Sequence, residues 1–257
     1  MIMIPHAIEF ESYRAFADRQ ELNLRPLTLL YGVNNAGKSA LLRALPLIGD
    51  SLKSEGMSPL NFDSQSIKGA SFRDLRWQGS RAPSPTIDFR FKWNGGPVDH
   101  YEIGVAYEDP WNRVVPRSLS VSISDRSEKQ FICAFIDEEQ LDETLTFRVE
   151  SGKGLSDNTV KLRWSGMIPS SQTRGFAGLF DKLSQALKPI TGGVQWLTSI
   201  REAPERRLTP SGGLPRRLGP RGDGVVATLH INEEVRADVS EWYESHLSRR
   251  LLVIEDG

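Results

Sequence analysis

The clearest pattern in the chain is an alternation of apolar and polar residues, with a period of two, from Thr86 to Trp164. This period places successive side chains on opposite faces of a β-strand. Turn-forming clusters, such as Asn-Gly-Gly-Pro at 94–97, separate the runs. The pattern predicts an antiparallel meander over 86–165 with one solvated face. Its apolar set is Ile87, Phe89, Phe91, Trp93, Tyr101, Ile103, Val105, Tyr107, Leu119, Val121, Ile123, Leu145, Phe147, Val149, Val160, Leu162 and Trp164.

Three segments have the apolar spacing of an amphipathic helix instead. The first follows residue 37, where Pro46 predicts a kink or an early end because proline lacks the helical N–H. The second should end at Pro189 and the glycines at 192–193, and the third spans Val225–Leu247. Their apolar positions are Leu41, Leu42, Leu45 and Ile48; Phe176, Leu179, Phe180, Leu183 and Leu187; and Val235, Val239, Trp242 and Tyr243.

Further strands are predicted outside the meander. Residues 7–16 are typical of a strand that runs into a turn, and residues 21–24 form a short strand. The apolar run at 27–31 predicts a third strand. Near the carboxyl end, residues 194–200 and 251–254 predict strands, and the Pro-, Gly- and Arg-rich segment 201–223 predicts a loop.

A glycine-rich loop joins the third of these strands to the first helix. It has the form Gly32-x-x-x-x-Gly37-Lys38-Ser39, which is a P-loop in its required strand and helix setting. In such a loop the backbone N–H groups and the helix N-terminus surround phosphate. Lys38 would contact the β- and γ-phosphates, and the Ser39 hydroxyl would ligate Mg²⁺. The predicted nucleotide-binding residues are Gly32, Asn34, Asn35, Ala36, Gly37, Lys38, Ser39 and Ala40.

Composition limits the other function classes. Lysine and arginine number 32 against 33 aspartates and glutamates, so the net charge does not indicate a nucleic-acid or membrane partner. The single cysteine excludes disulfides within the chain and cysteine zinc clusters. Neither a signal peptide nor a membrane-length apolar run is present, so we expect a cytoplasmic protein that does not contact membranes.

Hydrolysis of a nucleotide also needs an acidic residue at the end of an apolar strand. Asp137 and Glu138 follow such a run at 131–136, but this run also lies within the alternating meander. Glu255 and Asp256 follow a second run at 251–254. A Ser-Gly-Gly sequence at 211–213 imitates an ABC signature motif, but the prolines around it prevent the helix that a signature begins. The catalytic residues therefore stay unknown, with Asp137 and Glu138 as the alternative.

The amino-terminal motifs resemble those of ABC-like ATPases of the RecF, SMC and OLD group. The matching segments are Ile8-Glu-Phe-Glu-Ser-Tyr-Arg-Ala-Phe16 and the P-loop with its flanks at 27–45. Three later segments resemble the OLD-like AAA branch, at 71–75, 201–206 and 218–224. The resemblance implies one α/β ATPase domain over 1–257, with a mixed sheet. Within it would lie a P-loop core at 1–50, the antiparallel meander at 86–165, and flanking helices and last strands at 174–257.

The resemblance also implies ligands and partners. Arg14 would approach the phosphates of ATP, and Gln78 would join Ser39 at the magnesium ion. Family members continue with a signature helix, an Asp-Glu strand and a switch histidine, which are not recognisable here. We therefore expect the amino-terminal half of an ATPase, which pairs with a chain or half that carries the signature and Walker B motifs and forms an oligomer.

An effector nuclease, and DNA or RNA reached through the complex, are further partners implied by the resemblance. The expected setting is defence against phage or DNA maintenance. A local basic cluster would suit phosphate, nucleic acid or an acidic surface, although a solvated loop also explains it. It comprises Arg201, Arg206, Arg207, Arg216, Arg217 and Arg221. Two alternatives to the split ATPase stay open: a self-sufficient P-loop NTPase that uses Asp137 and Glu138, and a nucleotide-sensing module without turnover.

Overall fold

The computed structural model describes residues 4–54, 56, 58–67, 69–80, 85–108, 112–123, 129–135, 144–151, 159–173, 176–199 and 218–251. The chain divides into two compact units, Met1–Val194 and Gln195–Gly257. The first unit contains all the described strands and three of the helices, and the second contains the other two helices.

The first unit is built on a nine-stranded sheet with the order β2-β1-β3-β4-β5-β6-β7-β8-β9. Every strand pair described is antiparallel, which corrects the expected mixed sheet. From β3 to β9 each strand lies beside the next one in the chain, whereas β1 lies between β2 and β3, so the connection that carries α1 and α2 passes from one side of β1 to the other. The strands are β1 Ala7–Glu11, β2 Gln20–Asn23, β3 Ile87–Lys92, β4 His100–Glu108, β5 Arg113–Ile123, β6 Lys129–Phe135, β7 Thr144–Ser151, β8 Thr159–Ser165 and β9 Ile168–Ser170.

One face of the sheet carries the core. In register, Phe89 lies between Phe10 of β1 and Ile103 of β4, and all three side chains are fully buried. The period-two prediction for the meander is therefore confirmed, since its inward positions from Ile87 to Trp164 are mostly buried. Ile123 and Val149 are partly buried, and Tyr107 is exposed, with 36% of its surface accessible.

The opposite face of β1, β3 and β4 carries a network of charged side chains. Glu9 is buried and lies close to Lys92, and Arg19 forms salt bridges to Glu11 at 2.8 Å and Glu102 at 2.7 Å. Such pairing is needed because an unpaired buried carboxylate would be costly to desolvate. The sheet therefore has one apolar and one charged face, as the alternation predicts.

Two helices of the first unit cover the apolar face. They are α1 Lys38–Ser51 and α3 Ala177–Gly193, and α2 Phe72–Leu75 is a single turn. Leu47 and Ile48 of α1 share the core with Leu183 and Leu187 of α3. Both long helices continue through a proline: α1 does not end early at Pro46, and α3 passes Pro189 and ends at the glycines 192–193, which the sequence had named as its end.

Burial on both sides of each proline explains why the helices continue. Pro46 is followed by the fully buried Leu47 and Ile48, and Pro189 is followed by the buried Ile190. A proline in a helix costs about 3 kcal/mol. Each buried leucine or isoleucine contributes roughly 1.5–3 kcal/mol, so the packing that the continued helix permits outweighs the proline.

The helices of the second unit differ from the prediction in their exposure. The predicted single helix is divided into α4 Val225–Ile231 and α5 Glu233–Leu247, because the Asn232 side chain caps α5 by accepting from the Val235 N–H at 3.1 Å. The expected inward positions of α5 are not buried: Trp242 is 51% exposed and Tyr243 is 37% exposed.

Three of the predicted strands are not among the strands that the structure describes. Residues 27–31 and 194–199 form no strand in the structure, so those two predictions are wrong. A strand requires a neighbouring strand to bond its backbone, and neither segment belongs to a strand pair among the described residues. The predicted strand at 251–254 lies outside the described residues, apart from Leu251.

Candidate functional site

The P-loop forms a tight backbone turn that leads directly into α1. Gly37 caps the helix in the left-handed conformation with φ +85°, and Asn35 is also left-handed with φ +64°. Gly32 has φ +151°, a value that a side chain would disfavour. The positions of Gly32 and Gly37 in the motif are thus explained by the backbone angles that they adopt.

Lys38 folds back over this loop. Its ammonium group donates to the carbonyl oxygens of Gly32 at 2.7 Å and Val33 at 2.6 Å. These two bonds hold the positive charge against the loop that the sequence assigns to phosphate. Ser39 follows on the first turn of α1 and is exposed.

The loop also presents unpaired donors. Within the described chain, the backbone N–H groups of Gly37, Lys38 and Ser39 donate no hydrogen bond, as expected for the first turn of a helix without a side-chain cap. Exposed N–H groups at the start of a long helix favour an anion. These donors, with the hydroxyl of the exposed Ser39 beside them, suit an anion such as phosphate.

The turn after β1 packs directly on the loop. The ring of Phe16 lies so close to Gly37 that a Cβ atom built there would be 2.4 Å from Cζ of the ring. The turn is closed by the Phe16 N–H bond to the Tyr13 carbonyl at 2.9 Å. The sequence drew attention to Phe16 only as part of a family motif; its contact with the loop emerges from the structure.

Arg14 lies in the same turn, with φ +49°. Its backbone N–H donates to the Leu75 carbonyl at 2.6 Å, and its guanidinium carbon lies 6.0 Å from the centre of the Tyr13 ring. The Nε atom of Arg14 is buried, and in the described part of the chain it has no hydrogen-bond partner. Arg14 is thus two residues along the chain from Phe16, whose ring contacts Gly37.

Tyr13 anchors this turn in the core. Its side chain is fully buried, and this burial raises the pKa of its phenol, which the nearby Arg14 and Arg43 charges partly oppose. The phenol therefore stays neutral at neutral pH.

Gln78 follows α2 on a segment bonded to the same turn. The Trp77 N–H donates to the Ser12 carbonyl at 2.8 Å, so residue 78 lies near the end of β1. The amide nitrogen of Gln78 donates to the Arg73 carbonyl within its own loop. The structure therefore brings the P-loop and the segments of Arg14 and Gln78 to one turn, but records no contact between Gln78 and Ser39.

The segment that leads into the P-loop has a bare apolar face. Its alternate residues are Leu27, Leu29, Tyr31 and Val33, whose exposed fractions are 76%, 73%, 93% and 80%. Leu30 lies between them and packs against the core. We call the four exposed residues the bare face; their period-two spacing is that of a strand covered on one side only.

The alternative acidic residues lie outside the described chain. Asp137 and Glu138 follow β6, which is bonded between β5 and β7 and separated from β1 by β3, β4 and β5. The basic cluster is likewise outside the described residues, apart from Arg221.

Two other kinds of site are absent from the described residues. Over the described ranges, no group of three or more histidine, cysteine, aspartate or glutamate side chains could hold a metal ion. In the same ranges, no helix has the length and apolar character to cross a membrane. Comparisons with protein-family models, curated protein sequences and solved structures found no match to this chain.

Proposed function

We propose that this chain binds ATP with Mg²⁺ through Gly32–Ser39 and acts as one half of an ABC-like ATPase. The observation that carries the proposal is the loop geometry. The Lys38 ammonium group lies over the Gly32 and Val33 carbonyls, beside the unpaired N–H groups of residues 37–39. Phosphate would replace the two carbonyls as the partner of Lys38, since an ammonium ion bonds a charged oxygen more strongly than a neutral one.

The bare face supports the need for a second half. Exposed apolar surface of this extent marks an interaction site in a folded protein. The backbone of residues 27–31 is outside the sheet, so its N–H and C=O groups can accept a neighbouring strand. We infer that the occupant is a strand of the half that carries the signature and Walker B motifs. Such a strand would place an acidic residue beside the P-loop, where hydrolysis needs it.

The test is ATP binding and turnover by the purified chain, with and without Mg²⁺. Replacing Lys38 with Ala removes a charge-assisted hydrogen bond, so ATP affinity should fall roughly 10- to 100-fold. Lys188→Ala is the matched control, because Lys188 is an exposed lysine on α3. Ser39→Ala should remove the gain in affinity that Mg²⁺ provides and leave magnesium-free binding largely unchanged.

The turnover result separates the main proposal from its alternatives. We expect ATP binding without hydrolysis by the chain alone. Hydrolysis that is lost in Lys38→Ala would show that the chain supplies its own acidic residue, and would contradict the need for a second half. Equal ATP affinity in Lys38→Ala and Lys188→Ala would contradict the P-loop assignment itself.

A further inference from the structure

A cleft lies beside α2, away from the residues of the P-loop. Two adjoining cavities of about 510 Å³ and about 380 Å³ share Ser71, Phe72, Tyr107 and Asn112 in their linings. Each volume falls within the usual range for small-molecule sites. The walls come from the segment around α2 and from the adjacent ends of β4 and β5.

Arginines supply the charge in this cleft. Arg73 and Arg76 line the larger cavity, and Arg113 lines the smaller one. None of the three forms a salt bridge to another described residue, and the described lining contains no acidic side chain. Guanidinium groups bind phosphate oxygens in pairs of parallel hydrogen bonds, so an arginine-lined cleft favours a phosphorylated ligand.

Aromatic and amide groups complete the lining. The Tyr107 side chain is 36% exposed, and its hydroxyl donates to Oδ1 of Asn112 at 2.5 Å. Phe72 is buried and contributes an apolar wall. A partly exposed tyrosine held by its hydroxyl presents a fixed ring on which a planar ligand can stack. Asn112 adds an amide that can hydrogen bond a polar edge of that ligand.

We propose that this cleft binds a phosphomonoester that carries a planar ring, of the nucleoside monophosphate class. A phosphomonoester carries nearly two negative charges at neutral pH and so matches an arginine-rich lining better than a single carboxylate does. Arg73 and Arg76 contact the phosphate, and Tyr107 stacks on the ring. This site is separate from the P-loop and does not depend on the function proposed for that loop.

The cleft is also connected to the P-loop turn. The backbone of Arg76 pairs with that of Tyr13 in an isolated antiparallel β-bridge, and the Leu75 carbonyl accepts a hydrogen bond from the Arg14 N–H. Phe16 of that turn contacts Gly37. A ligand that holds the Arg76 side chain in place would therefore restrain a segment whose backbone is bonded to the turn after β1, the turn that contacts the P-loop.

The experiment is calorimetric titration of the full chain carrying Lys38→Ala, which weakens the P-loop site. The probe is AMP, with adenosine and ribose 5-phosphate as ring-only and phosphate-only comparisons. AMP should bind the Lys38→Ala chain. Adding Arg73→Ala to that chain should lower its affinity for AMP about tenfold or more, as expected for a lost charge-assisted bond. Arg249→Ala is the matched control, since Arg249 is an exposed arginine of the second unit.

Tyr107→Ala tests the ring contact. This substitution should lower the affinity for AMP several-fold and leave the affinity for ribose 5-phosphate nearly unchanged. Circular dichroism verifies the fold of each variant. The proposal is overturned if AMP fails to bind the Lys38→Ala chain, or if Arg73→Ala and Arg249→Ala bind it equally. It is also overturned if Tyr107→Ala affects AMP and ribose 5-phosphate to the same extent, because the ring would then make no contact with Tyr107.

Discussion

Replacing Gly37 with Ala probes the contact between the P-loop and the turn after β1. The added methyl group has two separate costs. Gly37 has φ +85°, and a residue with a side chain pays about 1–2 kcal/mol to adopt the left-handed conformation. The new Cβ would also lie 2.4 Å from Cζ and 2.9 Å from Cε1 of Phe16. Overpacking of this kind costs about 1–3 kcal/mol, so the total loss of stability should be about 2–5 kcal/mol.

Gly69 separates the two costs. It has φ +83°, nearly the same as Gly37, but a Cβ built there meets nothing within 4 Å. Gly69→Ala should therefore show only the backbone cost. The unfolding free energies of both variants and the wild type, from urea denaturation, give the steric cost by difference.

A double variant identifies the source of the steric cost. Phe16→Ala removes the ring that crowds position 37, so Gly37→Ala should cost less in the Phe16→Ala background than in the wild type. The expected coupling is about 1–3 kcal/mol, equal to the overpacking term. If Gly37→Ala costs no more than Gly69→Ala, or if the coupling is absent, then Phe16 does not support the P-loop and the packing argument is refuted.

Two further predictions concern the bare face and a buried carboxyl group. Leu29→Ser should change the unfolding free energy by less than about 0.5 kcal/mol and reduce the fluorescence of a bound hydrophobic dye, because Leu29 is 73% exposed. Leu30→Ser, next to it but packed on the core, should cost more than about 1 kcal/mol; equal costs for the two variants would refute the assignment of faces. Burial raises the pKa of Asp88 to about 6, a shift that its hydrogen bond from Thr86 opposes and the nearby Glu102 charge reinforces. Between about pH 4 and pH 6 the folded state holds a proton that the unfolded state has released, so stability falls as pH rises through this window, by up to about 3 kcal/mol. Asp88→Asn should therefore have a larger unfolding free energy than the wild type at pH 8, and the two proteins should be equally stable near pH 4. The unfolding free energies are measured by chemical denaturation at both pH values. If they differ by the same amount at pH 4 and pH 8, the shifted pKa is contradicted.

The sequence predicted well those features that depend on neighbouring residues along the chain. The alternation from Ile87 to Trp164 identified the strands of the meander, because one buried face imposes a period of two. The glycine positions of the P-loop likewise matched the backbone angles at Gly32 and Gly37. In both cases the required information lies within a few residues.

Predictions failed where the outcome depends on distant packing. The run at 27–31 has the composition of a strand, yet strand formation requires a partner that the described chain does not provide. An early end of α1 at Pro46 was one of two expected outcomes, but the helix continues to Ser51 because the burial of Leu47 and Ile48 outweighs the local cost. The spacing of Trp242 and Tyr243 indicated an apolar stripe without indicating whether anything would cover it.

By itself, the sequence determined the local backbone: a meander, the glycine-rich turn at 32–37 and the helix that follows it. These elements follow from side-chain period, glycine angles and helix spacing, all of which act over short distances. Only the tertiary structure placed Phe16 on Gly37 and brought Arg73 and Arg76 to the same cleft as Tyr107. Those contacts join segments that are far apart in the chain. They arise because burial of the apolar face of the sheet fixes where its strands end, and so brings the loops at those ends together.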